Sequence, residues 1–324
     1  MKKFIFRLIK FCLLPIILIG TFFIYAEFTL YNYPSTFQLK AKYFKSHKDD
    51  SNVLILGSSH NQTAINPEYL INFNCSNLAF GGQDIRIDST LFSKVIKKLP
   101  ELRFVVFELS YHTLEHRSHQ NYHRNSLYLQ FYNINLFGRK TNIKDYSIYL
   151  SNPKLYNRFL NPLTKKTPVN EYGFATELSS FDSNLHRFKN LNYNKKLILN
   201  DTTNMFINRH KYEDVNTYNK NTASLNYMIN ECIQNDIIPI IISPPVYKNY
   251  YDTYIMAKEN RRLKYIDQMM DNYPTIEYFD FEQDNRFIIT DFKNEDHLNP
   301  IGAKKFTKIL NDTLQIIKNK KHFR

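Results

Sequence analysis

Cysteine is scarce. Cys12, Cys75 and Cys232 are the only three in 324 residues, and none stands in a CxxC or Cys/His spacing, which excludes a structural zinc of the finger or ribbon type. Cys12 lies in an N-terminal apolar run, so at most one disulfide, Cys75 to Cys232, is open to the remainder. Both flank expected strands, where small buried fillers are common. Tryptophan is missing altogether and no internal repeat is visible. No basic stretch interleaves with aromatics as a nucleic-acid surface would, although the net charge is +13. Lys2, Lys3, Arg7, Lys10, Lys318, Lys320, Lys321 and Arg324 carry eight of those charges, which leaves +5 for residues 11–317. That mild excess suits an anionic polymer or a membrane surface.

What is present fits a folded chain. With 43% hydrophobic residues there is material for one large core. The Tyr, Phe, Asn, Ile and Lys richness reads as overall compositional bias, so abundant Tyr and Asn alone do not signal sugar binding. Residues 1–10 are basic and 11–26 carry no charge. Counted from Phe4 to Ala26, the stretch spans about the twenty residues a membrane requires, with Arg7 and Lys10 placed to snorkel. The basic flank precedes the span and Glu27 follows it, so the positive-inside rule puts the N-terminus in the cytoplasm and the rest outside. A cleaved signal peptide is the rival reading, weakened by Ile24 where a cleavage site takes a small residue. The expectation is an uncleaved single-pass anchor over 1–27 and a linker over 28–50.

The sequence Ser51-Asn52-Val53-Leu54-Ile55-Leu56-Gly57-Ser58-Ser59-His60 then organises the chain. Val53 to Leu56 is too short for a helix and suits a buried parallel strand. Gly57 takes the turn, and Asn66-Pro67-Glu68 opens a helical piece over 65–71. Cys75 to Phe80 reads as a second strand before Gly81-Gly82. Asp84 caps a helix to about Lys98 with Ile85, Ile87, Leu91, Phe92, Val95 and Ile96 on its apolar side. Arg103 to Leu109 is a third strand. This alternation predicts an α/β fold of βαβ units, with a mostly parallel sheet covered by helices.

From 110 to 220 the periodicity weakens, and Pro153, Pro162 and Pro168 punctuate a stretch too long for a plain loop. A mixed insertion forming a cap or groove is expected there. Order returns with a helix over 222–235, a strand over 237–245 whose Pro239 fits only its first residues, a helix over 252–270 and a short strand over 276–279. Asp296-His297-Leu298-Asn299-Pro300-Ile301-Gly302 precedes a last helix to about Asn319, striped by Phe306, Ile309, Leu310, Leu314 and Ile317. The sheet-forming domain is thus expected in two parts, 51–109 and 221–324.

A serine hydroxyl attacks only when a base takes its proton, usually a histidine within hydrogen-bond reach. Ser59 stands just after the first strand and His297 just before the last helix, so a parallel sheet would bring both to one edge. Backbone N–H groups of Ser59 and Gly82 are candidate oxyanion donors, and Gln83 offers an amide. His60, Gln83 and Ser110 are candidate substrate contacts. His112, His116, His119 and His123 cluster in sequence, and on a helix His112 and His116 would share a face with Glu115 available to complete a metal site. The polar run around them equally suits a solvated segment, and neither a metal nor another cofactor is expected.

These blocks resemble the SGNH/GDSL hydrolase superfamily, in its membrane-anchored branch. They are similar to those of the D-alanyl transfer protein of teichoic acid modification and of bacterial polysaccharide O-acetyltransferases. Gly57-Ser58-Ser59 corresponds to the Gly-Asp-Ser block, with Ser58 in place of Asp, and makes Ser59 the nucleophile. Asn77 to Gly82 resembles the second block, and Asp296 to Gly302 the last, with His297 as base. The fold implied is a three-layer, flavodoxin-like sandwich. The family's acid lies three residues before the histidine, where this chain has Asn294. Asp296 takes that role if the loop turns it back to the ring, Asp291 is a second candidate, and a Ser–His dyad is a third arrangement. The Gly-x-Asn-Asp of the third block is absent, leaving Ser110 or His112 as stand-ins for its asparagine.

The resemblance implies an extracytoplasmic serine acyltransferase or esterase. Its partner would be a cell-envelope glycan or other hydroxyl-bearing polymer, and an acyl-exporting multispanning membrane protein is a candidate second partner; no nucleic acid is expected. A non-catalytic envelope binding or assembly protein is the alternative.

Overall fold

The computed structural model describes residues 2–118, 124–154, 168–178, 187–201 and 205–322. They fall into two compact units, one of residues 1–38 and 120–165, the other of 39–119 and 166–324.

The first unit is built on helix α1 (Lys2–Asn32), whose 30 residues from Lys3 are long and apolar enough to cross a membrane. The charge-free run explains the helix. Pro15 interrupts one backbone hydrogen bond without ending it, as apolar spanning helices tolerate. Part of the weakly periodic middle segment belongs to this unit. The Glu27 carboxylate accepts hydrogen bonds from Ser147 Oγ (2.7 Å) and from the Ile148 and Tyr149 N–H groups (2.8 and 3.0 Å). It thereby neutralises the orphan donors that open the turn Ile148–Ser151.

The second unit holds the sheet. Its chain begins within helix α2 (Thr36–His47), so the stretch expected as a linker is largely helical. Lys40 on α2 is buried, donating to Asn77 Oδ1 (3.1 Å) and the Ala79 carbonyl (2.7 Å), and burial lowers its pKa to about 7.

Strands β1 (Val53–Ile55), β2 (Cys75–Asn77), β3 (Phe104–Glu108), β4 (Ile238–Ser243) and β5 (Glu277–Asp280) pair in parallel in the order β2-β1-β3-β4-β5. This is the flavodoxin-like order, with its switch point between β1 and β3. The expected strands are all present, because short runs such as Ile238 to Ile242 are apolar on both faces, as a helix-covered parallel sheet demands.

Helices cover both faces of the sheet. Val53, Ile55, Val106, Ile240 and Ile242 share a core with Phe306, Leu310 and Leu314 of the last helix, which runs Pro300–His322. On the opposite face Phe92 of the helix Ile85–Val95 meets Phe107, and the helix Val215–Gln234 packs on that same helix and on β4. The result is the three-layer α/β sandwich. Cys75 and Cys232 are free and buried, acting as small fillers.

Two local differences bear on the site. The helical piece expected over 65–71 reduces to a single turn, Pro67–Tyr69, and a helix, α3 (Ser59–Ala64), starts directly at the serine. Ser58 caps it by accepting the His60 N–H, a signature that the paired serines carry. Strands β6 (Phe292–Asn294) and β7 (His297–Leu298) form an antiparallel hairpin that presents His297. Gly302 lets the last helix close over it, because a Cβ there would lie 2.2 Å from the Asp291 carbonyl oxygen.

Candidate active site

The carboxyl edge of the sheet gathers the polar residues of the second unit. Ser59 is half-buried at the first turn of α3, and its Oγ lies 2.8 Å from His297 Nε2, although 238 residues separate them. Ser58 faces the other way. It is buried, and its hydroxyl donates to Glu108 Oε1 (2.8 Å). Ser58 also lies 3.2 Å from a ring nitrogen, His112 Nε2, but its proton goes to Glu108, so Ser59 is the serine paired with His297.

The opposite ring nitrogen divides the orienting role between two residues. His297 Nδ1 is hydrogen-bonded to Asn294 Oδ1 at 3.0 Å. Asp296 Oδ1 is as close, 2.9 Å, but lies off the direction of a hydrogen bond and contributes charge. So Asn294, three residues before the histidine, contacts the ring as an amide, while the negative charge comes from the next residue but one. Asp291 does not approach the histidine: its carboxylate takes Lys305 Nζ (2.8 Å) and the Ile288 N–H (2.9 Å).

Arg209, from the middle segment, completes the group. Its guanidinium pairs with Asp296 Oδ2 and stands 3.4 Å from both nitrogens of His297. Burial alone would push the Asp296 carboxyl up, but Arg209 and His297 together hold it well below the usual carboxylate range. Burial lowers the His297 pKa to about 4, the Asp296 charge opposing the shift and Arg209 adding to it. The imidazole is therefore neutral at pH 7 and free to accept the serine proton.

This has a testable consequence. Capture of Ser59 by a fluorophosphonate probe should be flat from pH 8 down to about 5, then fall about tenfold per pH unit below 4 as His297 is protonated. Rate measurements across that range check it, and a midpoint near the ordinary histidine value would contradict the buried geometry. The sign for stability is the same. A histidine with a depressed folded pKa contributes fully above its unfolded value, about 6.5, and loses that contribution as pH falls toward 4.

The remaining expected contacts fall into two sets. Gly82 turns the chain at φ +73°, and the neighbouring Gly81 N–H donates to Gln62 Oε1 on α3 (2.5 Å), which ties the turn after β2 to the serine helix. The Ser59 N–H opens α3, where no acceptor inside the helix exists for it. Gln83 and Ser110, in contrast, do not offer themselves to a substrate. Gln83 is buried and its amide donates to the Leu78 carbonyl and Asp88 Oδ1. Ser110 is buried and donates to Glu108 Oε1. His60 is buried beside His297, its Nε2 3.6 Å from Asp296 Oδ2. The grouping of His112, His116 and Glu115 is not formed. Glu115 accepts from Arg261 (2.9 Å) and from the Asp214 N–H (2.6 Å), and His116 pairs with Tyr212 OH. His119 and His123 lie outside the described residues.

Glu108 and Arg209 escaped the sequence reading. Glu108 ends β3 buried, accepting the N–H groups of Ser58 (2.7 Å) and Asn61 (3.2 Å) and the hydroxyls of Ser58 and Ser110. It thus fixes the turn that delivers Ser59. Gly57 makes room for it: the backbone has φ +133°, and a Cβ would lie 2.7 Å from Glu108 Cβ. The signal for Glu108 was a lone acid in a wholly apolar strand, which must have partners when buried. Nothing in the weakly periodic sequence around Arg209 marked it.

One helical turn along α3, Gln62 and Thr63 line a cavity of about 70 Å³ with Phe174, Lys293, Leu298 and Pro300. Site and cavity lie within the sheet unit, at the place where open α/β folds bind ligands.

No protein-family model and no curated protein matches this chain. Solved structures similar to it include a GDSL-like lipase from Bacteroides thetaiotaomicron, with 10% identity over 87% of this chain and 99% of that one and a TM-score of 0.41. A candidate lipolytic protein of the G-D-S-L family from Desulfitobacterium hafniense has 10% identity over 81% and 98%, with a TM-score of 0.39. A candidate acylhydrolase from Bacteroides fragilis has 8% identity over 82% and 88%, with a TM-score of 0.37. The chemistry assigned to the site rests on its own side chains.

Proposed function

We propose that this chain is a membrane-anchored serine acyltransferase or esterase of the SGNH/GDSL type, acting outside the cytoplasm on a cell-envelope glycan. The observation that carries the proposal is the 2.8 Å contact between Ser59 Oγ and a neutral His297. In this reading His297 takes the Ser59 proton as Oγ attacks an acyl carbonyl, and the Ser59 and Gly82 N–H groups hold the oxyanion. His297 then protonates the leaving group. The acyl-enzyme is released when His297 deprotonates the acceptor, water for an esterase or a sugar hydroxyl for a transferase. The cavity beside α3 suits a short acyl chain, and the apolar N-terminal helix with its basic flank supports a fixed position at the membrane. An acyl-exporting membrane protein would be the donor-side partner.

The purified full chain in detergent, given a chromogenic acetyl ester, should form an acyl adduct of one acetyl mass and release it faster when a polyol is added. In cells, Ser59→Ala should remove O-acyl groups from an envelope polymer. An unchanged polymer together with no adduct would favour the non-catalytic binding or assembly reading, whose support is the amide at position 294.

A further inference from the structure

Three histidines outside the proton path meet beside it. His60 comes from α3, His112 from the loop after β3, and His210 from the turn before the helix Val215–Gln234. One ring nitrogen of each lies within 4.8 Å of those of the other two, and all three side chains are buried. The rings crowd together: His112 and His210 stack with centroids 4.2 Å apart, and His60 and His112 are 4.5 Å apart.

Their hydrogen bonds are incomplete in a directed way. Neither His60 Nδ1 nor Nε2 has a hydrogen-bond partner, nor does His112 Nδ1, and burying bare polar atoms is costly. The outer nitrogens, in contrast, have neighbours. His112 Nε2 stands 3.2 Å from Ser58 Oγ, whose own proton goes to Glu108. The hydroxyl oxygen must then accept from His112 Nε2–H, which leaves Nδ1 as a bare lone pair. His210 Nδ1 stands 2.6 Å from Tyr250 OH, leaving Nε2 to turn inward. Two imidazoles, His112 and His210, are thus oriented from outside by an oxygen, as metal-binding histidines are, and face a third ring, His60, with both nitrogens bare.

We propose that His60, His112 and His210 together bind one divalent transition-metal ion, zinc in the first instance, through one nitrogen each and with a fourth position open to water. Zinc–nitrogen bonds place tetrahedral ligand nitrogens about 3.3 Å apart. Closing the cluster from 4.8 Å therefore asks for ring movements on the order of 1 Å. A neighbouring set, His60, Asp296 and His297, also lies within that reach, but Arg209 already neutralises Asp296 and both nitrogens of His297 are engaged. The proposal does not depend on Ser59 being a nucleophile.

The test uses the full chain in detergent, produced without a polyhistidine tag, stripped with a chelator and titrated with Zn²⁺ against a chromophoric competitor. One zinc per chain is expected, and X-ray absorption of the loaded wild type should show a first shell of three imidazoles and one further light atom. His112→Asn and His210→Asn should each weaken binding about 100-fold or more, whereas His297→Ala should keep the metal. Failure to reach one zinc per chain, unchanged affinity in both histidine variants, or loss of the metal in His297→Ala would each overturn the assignment. Should the variants misfold, the wild-type absorption spectrum decides alone, and a first shell with fewer than three imidazoles counts against it.

Discussion

Ser59→Ala is expected to abolish covalent capture of a fluorophosphonate probe, and His297→Ala to slow it by about 10³-fold or more. The two residues act as a unit. An isolated serine hydroxyl is almost wholly protonated at neutral pH, and the imidazole 2.8 Å away is placed to take its proton. Ser58 cannot take over in the alanine variant, since it is buried and its hydroxyl is directed to Glu108. The measurement is the intact mass of the wild type and both variants after equal exposure to the probe. An adduct of equal yield on Ser59→Ala would place the reactive group elsewhere. No adduct on folded wild type would remove the case for an activated serine. Because the polymer acceptor plays no part in probe capture, this result separates an activated site from the choice of substrate.

The second large effect is on folding. Glu108→Ala should destabilise the sheet unit by about 3–5 kcal/mol, because it leaves the N–H groups of Ser58 and Asn61 and the hydroxyls of Ser58, Ser110 and Thr113 without this acceptor. In a unit of this size that corresponds to a fall in Tm of roughly 10 °C. Glu108→Gln should cost less, since one amide oxygen still accepts where two carboxylate oxygens did. Asp88→Asn is the informative control. Burial first, opposed by the Gln83 amide and reinforced by the Glu108 charge, pushes the Asp88 carboxyl well above its ordinary range. With its charged form disfavoured, this side chain should tolerate the neutral amide better than Glu108 does. Thermal melts of the three variants check this, and a Glu108→Ala protein as stable as wild type would show that the turn is held by something other than this carboxylate.

How much of this was legible in the sequence depended on the range of the forces involved. The strands could be read because burial on both faces writes itself into consecutive residues, as in Ile238 to Ile242. Ser59 and His297 were legible as endpoints of such runs, at positions where a parallel sheet has one chemical edge. The start of α3 at Ser59 was missed, since Gly57 and the polar run Ser58-Ser59-His60-Asn61 read as a loop; the helix is fixed by Ser58 and by Glu108, 50 residues from it. The split of the orienting role between Asn294 and Asp296 depended on a two-stranded hairpin too short to leave a periodic signature. Arg209 was out of reach for another reason. Its role comes from contacts with Asp296 and His297, 87 and 88 residues on, and no local pattern records such a meeting.

The distance in sequence between Ser59 and His297 also sets an order of events. Ribosomes add about 5–20 residues per second, so the 238 positions between the two correspond to roughly 12–48 s of synthesis. Throughout that interval the serine exists without its base, and over its last 87 residues the arginine waits without its aspartate. A chain interrupted anywhere before the last hairpin thus carries Ser59 as an ordinary alcohol. If the site is the proposed acyl-transfer centre, its reactivity arrives only with the final segment, and a nascent chain would not acylate itself or its surroundings while it is still being made.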